Sequence, residues 1–149
     1  MQISSAITNN DLFDIVKVGK ACLPIYYNLY HLIKLINDKN YIILKCIINE
    51  NIIGFAIINK QNKDRIHIMS IAILDVYRGL GYGSALLDKI KDIFPNYKIS
   101  LYVQIKNNNA VQFYIKNKFK IEKTIYNYYD ELEYKHAYYC VFTPILVSI

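Results

Sequence analysis

Between Ile71 and Leu87 the chain reads Ile-Ala-Ile-Leu-Asp-Val-Tyr-Arg-Gly-Leu-Gly-Tyr-Gly-Ser-Ala-Leu-Leu. An apolar, β-branched run is followed by a turn with three glycines and then by an amphipathic stretch that opens at Ser84. Glycines spaced as Gly79, Gly81 and Gly83 let the backbone approach a ligand closely with its N–H groups turned outward. The positive end of the following helix reinforces the resulting anion site. This is the chemistry of a phosphate cradle. It is not a P-loop, because no Gly-Lys-Ser/Thr follows. Nor is it a dinucleotide turn, which needs a ribose-binding acid about 20 residues on; the chain there, Ile99 to Val103, is apolar.

The elements that must position this loop follow from hydrophobic periodicity. Gln2 to Thr8 suits an edge strand. Asn9 or Asn10 can cap a helix with Leu12, Ile15, Val16 and Gly19 inward, which Pro24 ends. A second helix carries Leu29, Leu32, Ile33 and Ile36 inward. Tyr41–Ile48 and Ile52–Asn59 read as a hairpin around Glu50-Asn51, and Arg65–Leu74 as the strand that delivers the glycines. The helix after Ser84 buries Leu86, Leu87, Ile90 and Ile93 and stops at Pro95. Lys98–Ile105 is a strand. One of Asn107, Asn108 and Asn109 caps a helix with Val111, Tyr114 and Ile115 on one side, and Phe119–Tyr128 pairs with His136–Pro144. The fold class is α/β (α+β): a mixed, mostly antiparallel sheet of about seven strands flanked by about four helices.

Composition narrows the function. A chain of 149 residues predicts a single domain over 1–149 with one continuous core. No apolar run of about 18 residues or more predicts a membrane span, and the first residues lack the basic and apolar regions of a secretory signal. Cys22, Cys46 and Cys140 are widely spaced in apolar surroundings and form no metal-ligand pattern. They read as reduced cysteines of a cytoplasmic protein. The net charge of +6 suits an anionic ligand, whereas the lysines are too scattered to predict nucleic-acid binding.

Arg78-Gly79-Leu80-Gly81-Tyr82-Gly83 resembles the Arg/Gln-x-x-Gly-x-Gly/Ala loop of the GNAT acetyltransferases, and the element order is the GNAT order. Four further blocks resemble the protein N-terminal acetyltransferases of the NatE type: Leu23-Pro24-Ile25-Tyr26-Tyr27-Asn28, Arg65-Ile66-His67-Ile68-Met69-Ser70, Leu101–Ile105 running into Asn107 and Ala110–Tyr114, and Tyr126-Asn127-Tyr128-Tyr129. The resemblance spans Leu23 to about Tyr139. It implies acetyl-CoA as cosubstrate without a metal, peptides or protein N-termini as acceptors, and Met followed by an apolar residue as the preferred start. Proteins of this type can also associate with a larger auxiliary acetyltransferase subunit.

The resemblance further implies a set of site residues. The amides of Arg78, Gly79, Leu80, Gly81, Tyr82, Gly83 and Ser84 hold the pyrophosphate, and the backbone of Ile71, Ala72 and Ile73 meets the pantetheine and the oxyanion. Asn107 contacts CoA, and Tyr114 approaches the CoA sulfur as hydrogen-bond donor or acid. In the NatE type, a Tyr on the strand before the Gly loop and a His on the strand after its helix order a water that takes the amine proton. Here these positions hold His67 and Tyr102, so the two residue types are exchanged. An imidazole with an ordinary pKa near 6.5 suits the base, and a phenol near 10 suits orienting the water. Without the resemblance, His67 reads as a partly buried strand residue alternating with Met69 and Ile71, and Tyr114 as a core aromatic. Leu23, Pro24, Ile25, Tyr27 and Met69 face Tyr128 and Tyr129 across the implied peptide pocket. Leu23 stands where that type usually has Phe. Three readings follow: an N-terminal acetyltransferase, a GNAT enzyme acting on a lysine side chain or small-molecule amine, and a non-catalytic acyl-CoA-binding module.

Overall fold

Alternating apolar residues in the chain's strands build one seven-stranded sheet with the order β1-β2-β3-β4-β5-β7-β6. The computed structural model describes residues 1–145, so the last part of the expected 1–149 domain lies outside the described residues. The strands are β1 (Gln2–Ser4), β2 (Tyr41–Ile48), β3 (Asn51–Asn62), β4 (Arg65–Ile73), β5 (Lys98–Gln104), β6 (Lys120–Ile125) and β7 (Ala137–Phe142). The helices are α1 (Asn9–Cys22), α2 (Leu29–Ile36), α3 (Tyr82–Ile93) and α4 (Asn108–Lys116). One sheet face packs on α3 and α4 through Leu86, Leu87, Ile90 and Val111 against Ile66, Ile99 and Leu101. The other packs on α1 and α2 through Leu12, Ile15, Val18 and Leu32 against Ile43, Phe55 and Ile57.

Within this sheet only β4 and β5 pair in parallel, and their ladder has three rungs: Arg65–Lys98, Ile66–Ile99 and His67–Ser100. Beyond the last rung β4 continues to Ile73 and β5 to Gln104 with no further pairing. The two strands therefore fork. Along the fork, the β4 edge that faces β5 lacks a sheet partner, an arrangement that is tolerated where water or a ligand can supply the hydrogen bonds.

A bulge in β4 shapes the fork. Ile58 pairs with Ile68 and Ile57 with Ser70, which leaves Met69 without a partner on β3. An extra residue bends a strand and reverses its alternation. Ile66 and Ile68 before the bulge, and Ile71 and Ile73 after it, accordingly all pack into the same core. The expected alternation of His67, Met69 and Ile71 on one face is thus corrected. His67 lies opposite the face that Ile71 enters.

Several local expectations shift for similar reasons. Thr8, rather than Asn9 or Asn10, caps α1: its hydroxyl accepts from the Asp11 amide at 3.2 Å, and the Asp11 carboxylate accepts from the Thr8 amide at 2.8 Å. The reciprocal pair satisfies two end donors that an adjacent asparagine would compete for. The hairpin turn is Asn49-Glu50, both at positive φ as a two-residue loop between twisted strands requires. Val18 is buried in the core as well, beside a half-buried Val16 that packs against it. Ile33, Ile93 and Ile115, expected inward, are exposed.

Candidate active site

The Gly loop leaves the open end of the fork. After a single 3-10 turn over Asp75–Tyr77, Gly79 and Gly81 take φ of +75° and +86°, and α3 begins at Tyr82, two residues earlier than the sequence suggests. A Cβ at Gly79 or Gly81 would meet nothing within 4 Å. These two glycines therefore answer a backbone requirement beside open space. Gly83 differs, since a Cβ there would stand 3.0 Å from the Phe113 ring, and its smallness lets α3 and α4 approach. Helices α1, α2 and α4 have their first turns capped by Thr8, Asn28 and Asn107, whereas Gly81 offers α3 no side chain. The amides of Gly79, Leu80, Gly81, Tyr82, Gly83 and Ser84 donate to no acceptor among the described residues. Consecutive free donors at a helix N-terminus fit a pyrophosphate.

The side chain of Arg78 points elsewhere. Its Nε donates to the Ile73 carbonyl at 2.9 Å, and its guanidinium pairs with Asp75. The Cys22 thiol donates to the same carbonyl at 3.6 Å. Arg78 thus braces the end of β4. Below that end lies Gly54, where a Cβ would be 2.6 Å from the Ala72 carbonyl oxygen. Nothing in the residue patterns singled out this close approach except an isolated glycine inside a strand. The Ser84 hydroxyl accepts from the Asn117 side-chain amide at 3.2 Å, which ties the first turn of α3 to the end of α4.

At the crotch of the fork, His67 and Ser100 form the last rung and are 8% and 5% exposed. The Nδ1 of His67 lies 2.7 Å from the Ser100 Oγ. Tyr102, two residues along β5 on the same face, places its ring 5.2 Å from the His67 ring. Tyr102 in turn stacks on Tyr128 at 4.1 Å and touches Tyr139 of β7 at 5.2 Å. Burial holds the His67 imidazole below its ordinary pKa, because desolvation penalises the charged form. The ring is therefore neutral and able to accept a proton near pH 7.

Tyr114 is buried between Phe113 and Phe119. Its hydroxyl makes no hydrogen bond within the described residues, yet no sealed polar side-chain atom lacks a partner, so the hydroxyl retains an opening. Burial, with smaller contributions from nearby Tyr129 and Cys140, raises its pKa well above the ordinary phenol value. Tyr129 is pushed up to about 12 by burial and by Tyr128. Asn107 is the asparagine that caps α4, its side-chain oxygen accepting from the Ala110 amide at 3.2 Å.

The other wall is aromatic. Leu23 closes α1 with its amide on the Gly19 carbonyl, and Leu23 and Tyr27 pack on the α1–α2 core while Ile25 stays exposed. Burial raises the phenols of Tyr27 and Tyr128, and Tyr128 packs edge-on against Tyr129 at 4.8 Å. Met69, thrown outward by the bulge, is 38% exposed. The loop that carries Tyr128 and Tyr129 is closed by the Tyr129 amide on the Lys135 carbonyl at 2.9 Å. Asn127 donates to His136 at 3.1 Å in the same loop. No group of three or more potential metal ligands occurs among the described residues.

Comparison with known proteins agrees with this geometry. Residues 12–119 match the model of the Acetyltransferase (GNAT) family. N-alpha-acetyltransferase 50 of Danio rerio is 31% identical over 140 residues, covering 89% of this chain and 71% of that protein. The Arabidopsis thaliana Naa50 structure, in complex with the bisubstrate analogue CoA-Ac-MVNAL, superposes with a TM-score of 0.79 at 26% identity, covering 95% of this chain and 97% of that one. The Ard1 structure from Thermoplasma volcanium shares the fold, with a TM-score of 0.85 at 22% identity over 97% of this chain and 98% of that one. A forked sheet that ends in a Gly loop and an uncapped helix, matched to the family across most of its length, makes this chain a member of the GNAT acetyltransferase family.

Proposed function

We propose that the protein transfers the acetyl group of acetyl-CoA to the α-amine of peptides that begin with Met and an apolar residue. Transfer is by direct attack in a ternary complex. The observation that carries this reading is the meeting of His67 and Tyr102, 5.2 Å apart at the crotch of the fork, with Tyr128 stacked on Tyr102 and the free amides of the Gly loop following the end of β4. The zebrafish relative and the Arabidopsis thaliana Naa50 structure with its peptide–CoA conjugate support it.

The residues divide the work. The amides of Gly79 to Ser84 hold the pyrophosphate. The unpaired edge of β4 from Ile71 to Ile73 takes the pantetheine amides and the thioester oxygen, where negative charge develops. The acetyl-CoA thioester supplies the activated acyl group. A peptide α-amine has an ordinary pKa near 8 and needs only a mild base. His67, kept neutral by burial, receives its proton through a water that Tyr102 orients. The amine nitrogen forms a bond to the acyl carbon as the carbon–sulfur bond breaks. Tyr114, kept protonated by burial, donates a hydrogen bond to the leaving thiolate, and His67 passes the acquired proton to solvent. Leu23, Pro24, Ile25 and Met69 line the pocket for the first side chains, and the hydroxyls of Tyr27, Tyr128 and Tyr129 bond the peptide backbone.

The test is acetylation of a peptide panel read by mass spectrometry. It holds Met-Leu, Met-Lys, Ser-Glu and Met-Asp N-termini, and an N-blocked peptide with an internal lysine. Modification confined to free Met-Leu is the expected result. Transfer only to the blocked peptide would assign the enzyme to lysine side chains.

A further inference from the structure

One ring nitrogen of His67, Nδ1, is held against Ser100, and the proton that this contact places there decides whether the other nitrogen can act as a base. Nδ1 faces the Ser100 hydroxyl at 2.7 Å, and that hydroxyl lies 3.5 Å from the Ile66 carbonyl oxygen. A hydroxyl has one proton to give and lone pairs to accept with. Spent on the Ile66 carbonyl, the Ser100 proton leaves the oxygen free to accept from Nδ1–H. The neutral ring then carries its lone pair on Nε2, which has no partner among the described residues and is not sealed from solvent. Once the ring is charged both nitrogens donate, so Ser100 must accept from Nδ1 and turn its proton to Ile66.

We infer that Ser100 is a positioning residue for acetyl transfer, holding His67 in the Nδ1–H tautomer so that Nε2 is the proton acceptor and supporting the imidazolium that forms; the inference rests on the reading of His67 as the base. The pairing is built into the fold, because Ser100 stands opposite His67 in the last parallel rung before the strands part. The two side chains therefore meet whether or not a ligand is present. No carboxylate does this work, since His67 forms no ion pair among the described residues. The groups around the ring are Tyr102 of β5, with Tyr128 and Tyr139 beyond it, and Asn59 opposite on β3. A neutral orienting partner stabilises the imidazolium less than a carboxylate would, which is compatible with a base that must surrender its proton each turnover.

The experiment compares Ser100→Ala and Ser100→Thr with the parent, using acetyl-CoA and the Met-Leu peptide across pH. Ser100→Ala should lower kcat about tenfold, an order set by losing one positioned group in proton transfer, with the KM for acetyl-CoA unchanged. Because Ser100 supports the charged ring, its loss should also move the acid limb of the kcat profile to lower pH. Ser100→Thr, which restores the hydroxyl on a strand-compatible side chain, should recover both. A Ser100→Ala enzyme with parental plateau and limb would overturn the inference. Ring nitrogen NMR of the unmutated protein is the independent check if the alanine variant does not fold: a pyridine-type signal at Nε2 is expected, and one at Nδ1 would overturn it. His67→Phe separates the two levels. Undiminished turnover in that variant removes the base reading itself, whereas lost turnover beside a silent Ser100→Ala removes only the role of Ser100.

Discussion

On the proposed function, the two halves of the cleft recognise their ligands with different parts of the chain. On the Gly-loop side the contacts would be backbone amides from Gly79 to Ser84, on a loop where Gly79 and Gly81 sit at positive φ and whose helix has no side-chain cap. On the peptide side they would be side chains, those of Tyr27, Tyr128 and Tyr129, with Met69 thrown forward by a bulge. Backbone recognition tolerates almost any side chain outside the glycines, so the first half suits a ligand common to a large family. Side-chain recognition changes with single substitutions, so the second half is where preference resides. His67 and Tyr102 stand where the halves meet.

The comparison can be broken most sharply at that junction. His67→Phe should reduce kcat by about 100-fold or more, as expected for removing a general base, while titration calorimetry shows acetyl-CoA affinity within twofold of the parent, a margin of about 0.4 kcal/mol. A large loss of affinity would place His67 in the cosubstrate half instead. Next in size, Gly81→Val forces a β-branched residue into φ of +86°, a conformation that is a genuine outlier for such residues. Rearrangement of the loop should weaken acetyl-CoA binding roughly tenfold, in line with about 1–2 kcal/mol of strain, while the peptide KM measured at saturating acetyl-CoA stays near the parent's. Tyr128→Ala should act in the opposite sense. It removes the 4.1 Å stack on Tyr102, and a pair worth about 0.5–1.5 kcal/mol predicts a severalfold rise in peptide KM with acetyl-CoA affinity untouched. Equal effects of Gly81→Val and Tyr128→Ala on both substrates would dissolve the division.

The smallest effect is on stability against pH. Burial holds the folded His67 below its ordinary pKa of 6.5, so the unfolded chain binds more protons in the interval between the two values. Stability is then fully present above about pH 6.5 and falls as pH drops through the folded value. His67→Phe should remove that part of the acid slope in urea denaturation curves. An unchanged slope would show that His67 binds as many protons in the folded chain as in the unfolded one, so that burial leaves its titration unshifted.

The residues themselves carried much of the cradle. Gly79 and Gly81 announce positive φ, the apolar run before them announces the strand, and the periodicity after them announces α3; all three are short-range consequences of backbone sterics and side-chain spacing. His67 and Tyr102 were legible as candidates only through a resemblance, since a histidine and a tyrosine on two strands have no local signature. The role of the Arg78 side chain had no local signature either: its guanidinium is committed to the Ile73 carbonyl and Asp75.

Local order alone determined the strand–loop–helix at the centre of this protein, because φ preference and hydrophobic period act within a few residues. Tertiary structure alone decided that Ser100 faces His67, that Met69 bulges from β4, and that Tyr128 stacks on Tyr102. Each of these depends on the register of a strand or loop far away in the chain. A one-residue change in register turns every side chain to the opposite face, so the contacts at this site exist only once the whole sheet has chosen its pairing.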